Sequence, residues 1–157
     1  MTRRTPLSEA LEITMKLSMK FAALLLFVPL VASAQFRDLD TAMSNLKRGF
    51  SSGDPQAIVA GMASGDKVML QFPGLIEQSD FFGRDQAAYL LDGLFNKVKP
   101  TAFEEQKAVK STAEQQYHIT GTWTILNAGK AETRELYITL KQKGDSWSVV
   151  SIRSAGK

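Results

Sequence analysis

The chain has 157 residues, 44% of them hydrophobic and 22% charged, with a formal net charge of +3. That length and balance fit one globular domain and exclude wholesale disorder or a fibrous repeat. There is no cysteine and a single histidine, His118. This excludes a disulfide framework, a thiolate metal site, a cysteine nucleophile and any metal site built on two histidines.

Residues 15–35 read MKLSMKFAALLLFVPLVASAQ. Lys16 and Lys20 precede an apolar run from Phe21 to Val31, and Ala32-Ser33-Ala34 supplies a small-residue site before Gln35. That order describes a secretory signal peptide cleaved after Ala34. The run is too short to span a bilayer, and Pro29 breaks it near its end. No cysteine follows the small residues, so a lipid anchor there is excluded. Residues 1–14 lie upstream of this signal and do not fit it, which leaves Met1, Met15 and Met19 as alternative starts. The expected organisation is residues 1–34 as upstream segment and signal peptide, and residues 35–157 as a single exported domain, periplasmic or extracellular. The presequence carries Arg3, Arg4, Lys16 and Lys20 against Glu9 and Glu12, so its removal lowers the formal charge from +3 to +1. The remainder has no Lys/Arg run, and no nucleic-acid footprint.

Asp38–Phe50 reads as a helix, with Leu39, Ala42, Met43, Leu46 and Phe50 on one stripe and Asp38 or Asp40 as cap. Ser51-Ser52-Gly53 stops it. Asp54-Pro55 opens a second, short helix to about Met62, with Pro at a position where its missing N–H costs nothing. After the Ser64-Gly65-Asp66 turn, Lys67–Phe72 is a strand with Val68, Leu70 and Phe72 on one side. Pro73-Gly74 turns the chain into an extended piece, Leu75–Phe82. Arg84–Val98 is a stronger helix with Ala87, Leu91, Leu94 and Val98 on its inner stripe, closed by Pro100. Gly93 interrupts that helix, and a close packing contact is the expected reason.

The remainder reads as antiparallel strands: Ala102–Lys110, Gln115–Leu126, Thr133–Lys143 and Ser146–Arg153. In the second, Tyr117, Ile119, Trp123 and Ile125 point one way, and His118, Thr120, Thr122 and Thr124 the other. In the third, Leu136, Ile138 and Leu140 point in and Tyr137, Thr139 and Lys141 out. The last is apolar on both faces in its middle, which suits an enclosed position. Leu91, Leu94, Phe95, Ile119, Trp123, Leu136, Ile138 and Val149 should form one core.

This order of elements resembles the nuclear transport factor 2-like superfamily, an α+β, cystatin-like fold in which a cone of curved antiparallel sheet packs against helices. More narrowly, the opening helix with its Ser51-Ser52-Gly53-Asp54 break, the segment FFGRDQAAYLLDGLF (Phe81–Phe95) and the closing DSWSVVSIR (Asp145–Arg153) are similar to an exported bacterial family, domain of unknown function 4783. These motifs are structural punctuation and carry no chemistry.

Some members of the superfamily are ketosteroid isomerases, cyclases and dehydratases that place an Asp or His in the cone opposite a Tyr or protonated acid. The acid–base candidates here are His118, Glu77 and Asp80. Each has a simpler reading: His118 shares its parity with threonines on the outer side, and Glu77 and Asp80 lie in the piece between strands. No Ser sits in a nucleophile elbow. Tyr117, Trp123 and Trp147, with Tyr137, could line a pocket for a small apolar ligand, or simply pack the sheet. Arg84 could meet an anion or be solvated. No metal or cofactor is implied. The expected role is non-enzymatic: the cone binds a small apolar ligand or is filled by its own side chains, or the Thr-rich sheet face binds a partner. Superfamily members often pair sheet to sheet, which implies a homodimer through His118, Thr120, Thr122, Thr124, Tyr137 and Thr139. The alternative is an isomerase- or dehydratase-type enzyme with an acid–base residue in the cone.

Overall fold

The computed structural model describes residues 38–155. The export segment inferred over Met15–Gln35, its cleavage site and the alternative starts lie outside these residues. Helix α1 (Leu39–Ser52) begins where Asp38 accepts the Thr41 N–H at 2.6 Å and the Thr41 hydroxyl at 2.9 Å. It ends at Gly53, whose left-handed backbone (φ 70°) an L side chain resists. Asp54 then caps α2 (Pro55–Val59) by accepting the Ala57 N–H at 3.1 Å. This helix is shorter than its apolar pattern suggests, because Met62 is buried from the turn that follows it.

Strands β1 (Lys67–Gln71) and β2 (Asp80–Gly83) form an antiparallel pair. Only the last part of the expected extended piece is strand; Leu75 and Ile76 instead turn back on the Phe72 carbonyl. Helix α3 (Arg84–Lys97) passes directly into β3 (Val98–Ser111), with no loop between. Pro100 therefore lies inside a strand. It is tolerated because β3 is an edge strand and the register shifts between Pro100 and Ala102. Strands β4 (Gln116–Asn127), β5 (Lys130–Lys143) and β6 (Ser146–Ser154) complete a six-stranded sheet of order β2-β1-β6-β5-β4-β3.

The sheet is antiparallel except between β1 and β6, which run parallel. Irregularities in β3 and at Thr139–Leu140 opposite β6 bend it around the helices. The second of these changes the reading of β6. Thr139 pairs with Ser151 and Leu140 with Val149, leaving Val150 unpaired. Trp147 and Val149 face the core before this bulge, and Ile152 and Ser154 after it. The two-sided apolar pattern thus records a switch of parity within one strand.

All eight residues expected to form the core are buried in one cluster. Its hub is Trp123, whose ring meets those of Phe50, Phe72 and Phe95 at centroid distances of 5.7, 6.0 and 6.1 Å. The Trp123 indole N–H donates to the Phe50 carbonyl at 2.9 Å, so its polar atom is satisfied inside the core. Gly93 departs from its expected role: nothing lies within 4 Å of where its Cβ would stand. Close approaches occur instead at Gly49, against Ile58 of α2, and at Gly121, against the ring of Phe103. Among the described residues no helix is long and apolar enough to cross a membrane.

Candidate functional site

The alternation of β4 and β5 gives the sheet two chemically different faces. On the inner face β4 presents Tyr117, Ile119, Trp123 and Ile125, and β5 presents Leu140, Ile138, Leu136, Arg134 and Glu132. The three aromatic ligand candidates do not converge. Trp123 is fully buried at the aromatic hub. Tyr117 lies six residues away along the same strand, roughly 20 Å at the usual rise per residue. It meets Trp147 edge-on at 6.2 Å, and that pair forms a separate aromatic corner.

Arg134 and Glu132 are inner-face groups that strand parity already marks, since both share the register of Leu136 and Ile138. The Arg134 side chain is 7% exposed and that of Glu132 18%, with Nη2 and Oε2 3.6 Å apart. Arg134 also donates Nη1–H to the Pro73 carbonyl at 2.9 Å, and Asn127 donates to Glu132 at 3.3 Å. Lys97, from the last turn of α3, donates to the neighbouring Leu75 carbonyl at 3.2 Å. Two cations thus hold the carbonyls of the turn after β1. A guanidinium taken out of water costs several kcal/mol unless charge and hydrogen bonds offset it, and Glu132 and Pro73 provide both. Arg134 Nε and Ser154 Oγ are buried without a hydrogen-bond partner. This arrangement secures the turn after β1.

A second polar knot surrounds Asp66. Its carboxylate accepts the Ser148 hydroxyl at 2.8 Å and the Ala63 N–H at 3.2 Å, and pairs with Lys143. Burial is the largest single influence on this carboxyl and pushes its pKa up. The hydrogen bonds from Lys143, Ser148 and Ala63, with the Lys143 charge, outweigh burial and hold it below the usual carboxylate range. The group is ionised, saturated with donors and structural: it ties the turn before β1 to the β5–β6 hairpin.

The acid–base candidates are on the surface. Glu77 and Asp80 are exposed, and Asp80 accepts its neighbour's N–H at 2.7 Å. His118 is exposed on the outer face, 3.2 Å from the Thr139 hydroxyl and 3.9 Å from Glu114. Arg84 lies beside Ser64–Lys67 at the start of α3. Among the described residues no group of three or more His, Cys, Asp or Glu side chains could hold a metal ion.

The outer face has an order that strand pairing alone reveals. Phe81, Met69, Ser151, Thr139, His118 and Val109 are successive register partners from β2 across to β3. The row carries no Asp, Glu, Lys or Arg. Phe81 and Val109 at its two ends are 53% and 46% exposed. In the next row Tyr137, 45% exposed, donates its hydroxyl to Glu135 at 2.7 Å, and that bond raises the phenol pKa. A phenol so engaged is a poor proton donor to a substrate.

A curved sheet of this strand order, packed against two helices before β1 and a third between β2 and β3, is the architecture of the nuclear transport factor 2-like class. A protein from Catenulispora acidiphila with a ketosteroid isomerase-like fold, solved in complex with trimethylamine, is similar at 12% identity and a TM-score of 0.58, over 74% of this chain and 85% of that one. Residues 43–154 match the domain of unknown function DUF4783, and the chain belongs to that family. The DUF4783 protein of Bacteroides ovatus is 20% identical with a TM-score of 0.58, over 73% of this chain and 96% of that one. That of Bacteroides fragilis is also 20% identical, with a TM-score of 0.57 over 72% and 96%. No curated protein matches the chain in sequence.

Proposed function

We propose that the chain is an exported, non-enzymatic domain that acts through its surface, and that two copies pair through the outer face of the sheet. One observation carries this reading: the uncharged row from Phe81 to Val109, which crosses all six strands and ends in exposed apolar side chains at both edges. Interface cores are depleted in charge and enriched in aromatics, and Tyr137 stands beside this row. The inner face supports the same conclusion. The rings around Trp123 pack edge-on against one another at the centre of the core, and His118, Glu77 and Asp80 are all exposed.

Two experiments test it. Sedimentation should find a dimer for the parent and a monomer for Thr139→Glu, which sets a carboxylate on the uncharged row of each copy near a two-fold axis. A parent that stays monomeric at high concentration would overturn the pairing. For export, the secreted protein should begin at Gln35; an uncleaved chain retained in the cytoplasm would refute it.

A further inference from the structure

Helix α3 leaves an apolar trough on the surface, away from the outer sheet face. Tyr89 and Leu90 border two adjoining hollows of about 430 and 330 Å³. Phe82 lines the first, and Leu75 and Ile76 the second. Gly93, one turn beyond Tyr89, borders the second hollow with bare backbone. Tyr89 is 79% exposed, the most exposed of the large hydrophobic side chains described. A ring held so far into solvent gains most from a partner that covers it.

The rim has a sign. Residues 75–92 carry Glu77, Asp80, Asp85 and Asp92 against Arg84 alone, in a chain whose net charge is positive. Asp85 borders the first hollow and Asp92 the second, and no lysine or arginine lines either. An acidic rim repels an anionic lipid surface and complements a cationic partner. An apolar floor with charged edges is the form that receives an amphipathic helix.

We propose that this trough docks a basic amphipathic peptide segment of a partner protein. Its apolar side lies on Tyr89, Leu90 and Phe82, and its Lys or Arg side chains face Asp85 and Asp92, with Glu77 and Asp80 extending the acidic edge. The acidic residues of this region then act in recognition.

The test uses a fluorescein-labelled synthetic helical peptide of leucine and lysine, and a counterpart with glutamate for each lysine, read by anisotropy against the full-length secreted protein. The lysine peptide should bind in the micromolar range and weaken several-fold as salt rises past ~0.1 M, where the screening length falls to about 10 Å. The glutamate peptide should not bind. Tyr89→Ala should weaken binding roughly tenfold or more, as loss of a central aromatic anchor does, with an unchanged melting curve because the ring is exposed. Combined Asp85→Asn and Asp92→Asn should weaken the salt dependence, with Glu77 and Asp80 accounting for what is left. Equal binding of both peptides, or indifference to Tyr89→Ala, would overturn the proposal. So would Tyr89→Ala turning a dimer into a monomer, which would make a second copy the occupant, or Tyr89-dependent binding to phosphatidylserine vesicles without binding of the lysine peptide. The sheet-face variant Thr139→Glu should still bind the peptide, which separates this surface from the pairing face.

Discussion

Gly121 is where a single methyl group tests the packing of the whole inner face. A Cβ at this position would lie 2.5 and 2.6 Å from Cε2 and Cζ of Phe103, and 2.9 Å from the Glu104 carbonyl oxygen. The ring cannot easily withdraw. Phe103 is 3% exposed, its ring centroid is 5.6 Å from that of Phe50, and its own N–H is bonded to the Ser51 hydroxyl at 3.1 Å. Phe50 is in turn held against Phe95 and Trp123. Overpacking costs about 1–3 kcal/mol, and three contacts under 3.0 Å, one of them to backbone, put this case in the upper part of that range, about 2–3 kcal/mol. Alanine recovers roughly 0.5–1 kcal/mol because glycine is the poorer strand residue. Gly121→Ala should therefore destabilise the domain by about 1–2 kcal/mol, a fall in melting temperature of roughly 4–8 °C for a domain of this size. Thermal unfolding followed by near-ultraviolet circular dichroism reads both the midpoint and the environment of Trp123. The partner is tested by a cycle with Phe103→Leu: the double variant should lose less than the two single losses added together. A Gly121→Ala protein as stable as the parent would mean that the Phe103 ring does not lie over the glycine, and the assignment of that contact would fail.

At Gly93, where nothing lies near the missing Cβ, alanine should stabilise by about 0.5–1 kcal/mol, read as a higher denaturation midpoint at unchanged slope; a lower midpoint would place a neighbour there. Arg134→Met should cost about 3–5 kcal/mol by removing the buried guanidinium that pairs with Glu132 and holds the Pro73 carbonyl; urea unfolding of parent and variant decides, and an unchanged midpoint would argue against a structural role for the pair. Asp66→Asn should cost about 1–3 kcal/mol near neutral pH through its charged hydrogen bonds. The Asp66 carboxyl is held down in the folded state, so its contribution is complete above the unfolded value of about 3.9 and is lost as pH falls through the folded one. The difference in stability between parent and Asp66→Asn should then shrink below about pH 4; a constant difference from pH 7 to pH 2 would argue against an ionised Asp66.

Much of the fold was legible because its signals are local. Asp38, one of the two caps offered for the first helix, and Asp54 mark helix starts, while the 3.6-residue stripe of α3 and the alternation of β4 and β5 mark the buried sides; each of these signals lies within a few residues. The bulge at Val150 was not legible as such: an unpaired residue and a two-sided apolar strand have the same pattern, and only the pairing with β5 separates them. The parallel meeting of β1 and β6 depends on contacts between the two ends of the domain, which no window of sequence contains. Arg134 and Glu132 were within reach, since parity alone puts them beside Leu136, but the carbonyl and amide that satisfy them come from Pro73 and Asn127, which the strand's own pattern does not show. The trough on α3 is assembled from the segment after β1, from β2 and from the helix, so its residues look like ordinary surface until the chain is folded.

The parallel pairing of β1 with β6 also sets the order in which the domain is completed. Met69 meets Ser151 and Gln71 meets Arg153, so the first strand to be made has no neighbour on that side until the last one exists. Pairings between such distant stretches carry a loop-closure cost and slow folding. The β3–β4–β5 meander can assemble from its own hairpins, while the β1–β2 pair waits for the final nine-residue strand to enter between it and β5. A chain halted before Ser146 therefore lacks the strand that joins its two halves, and β6 works as the closing wedge of the sheet.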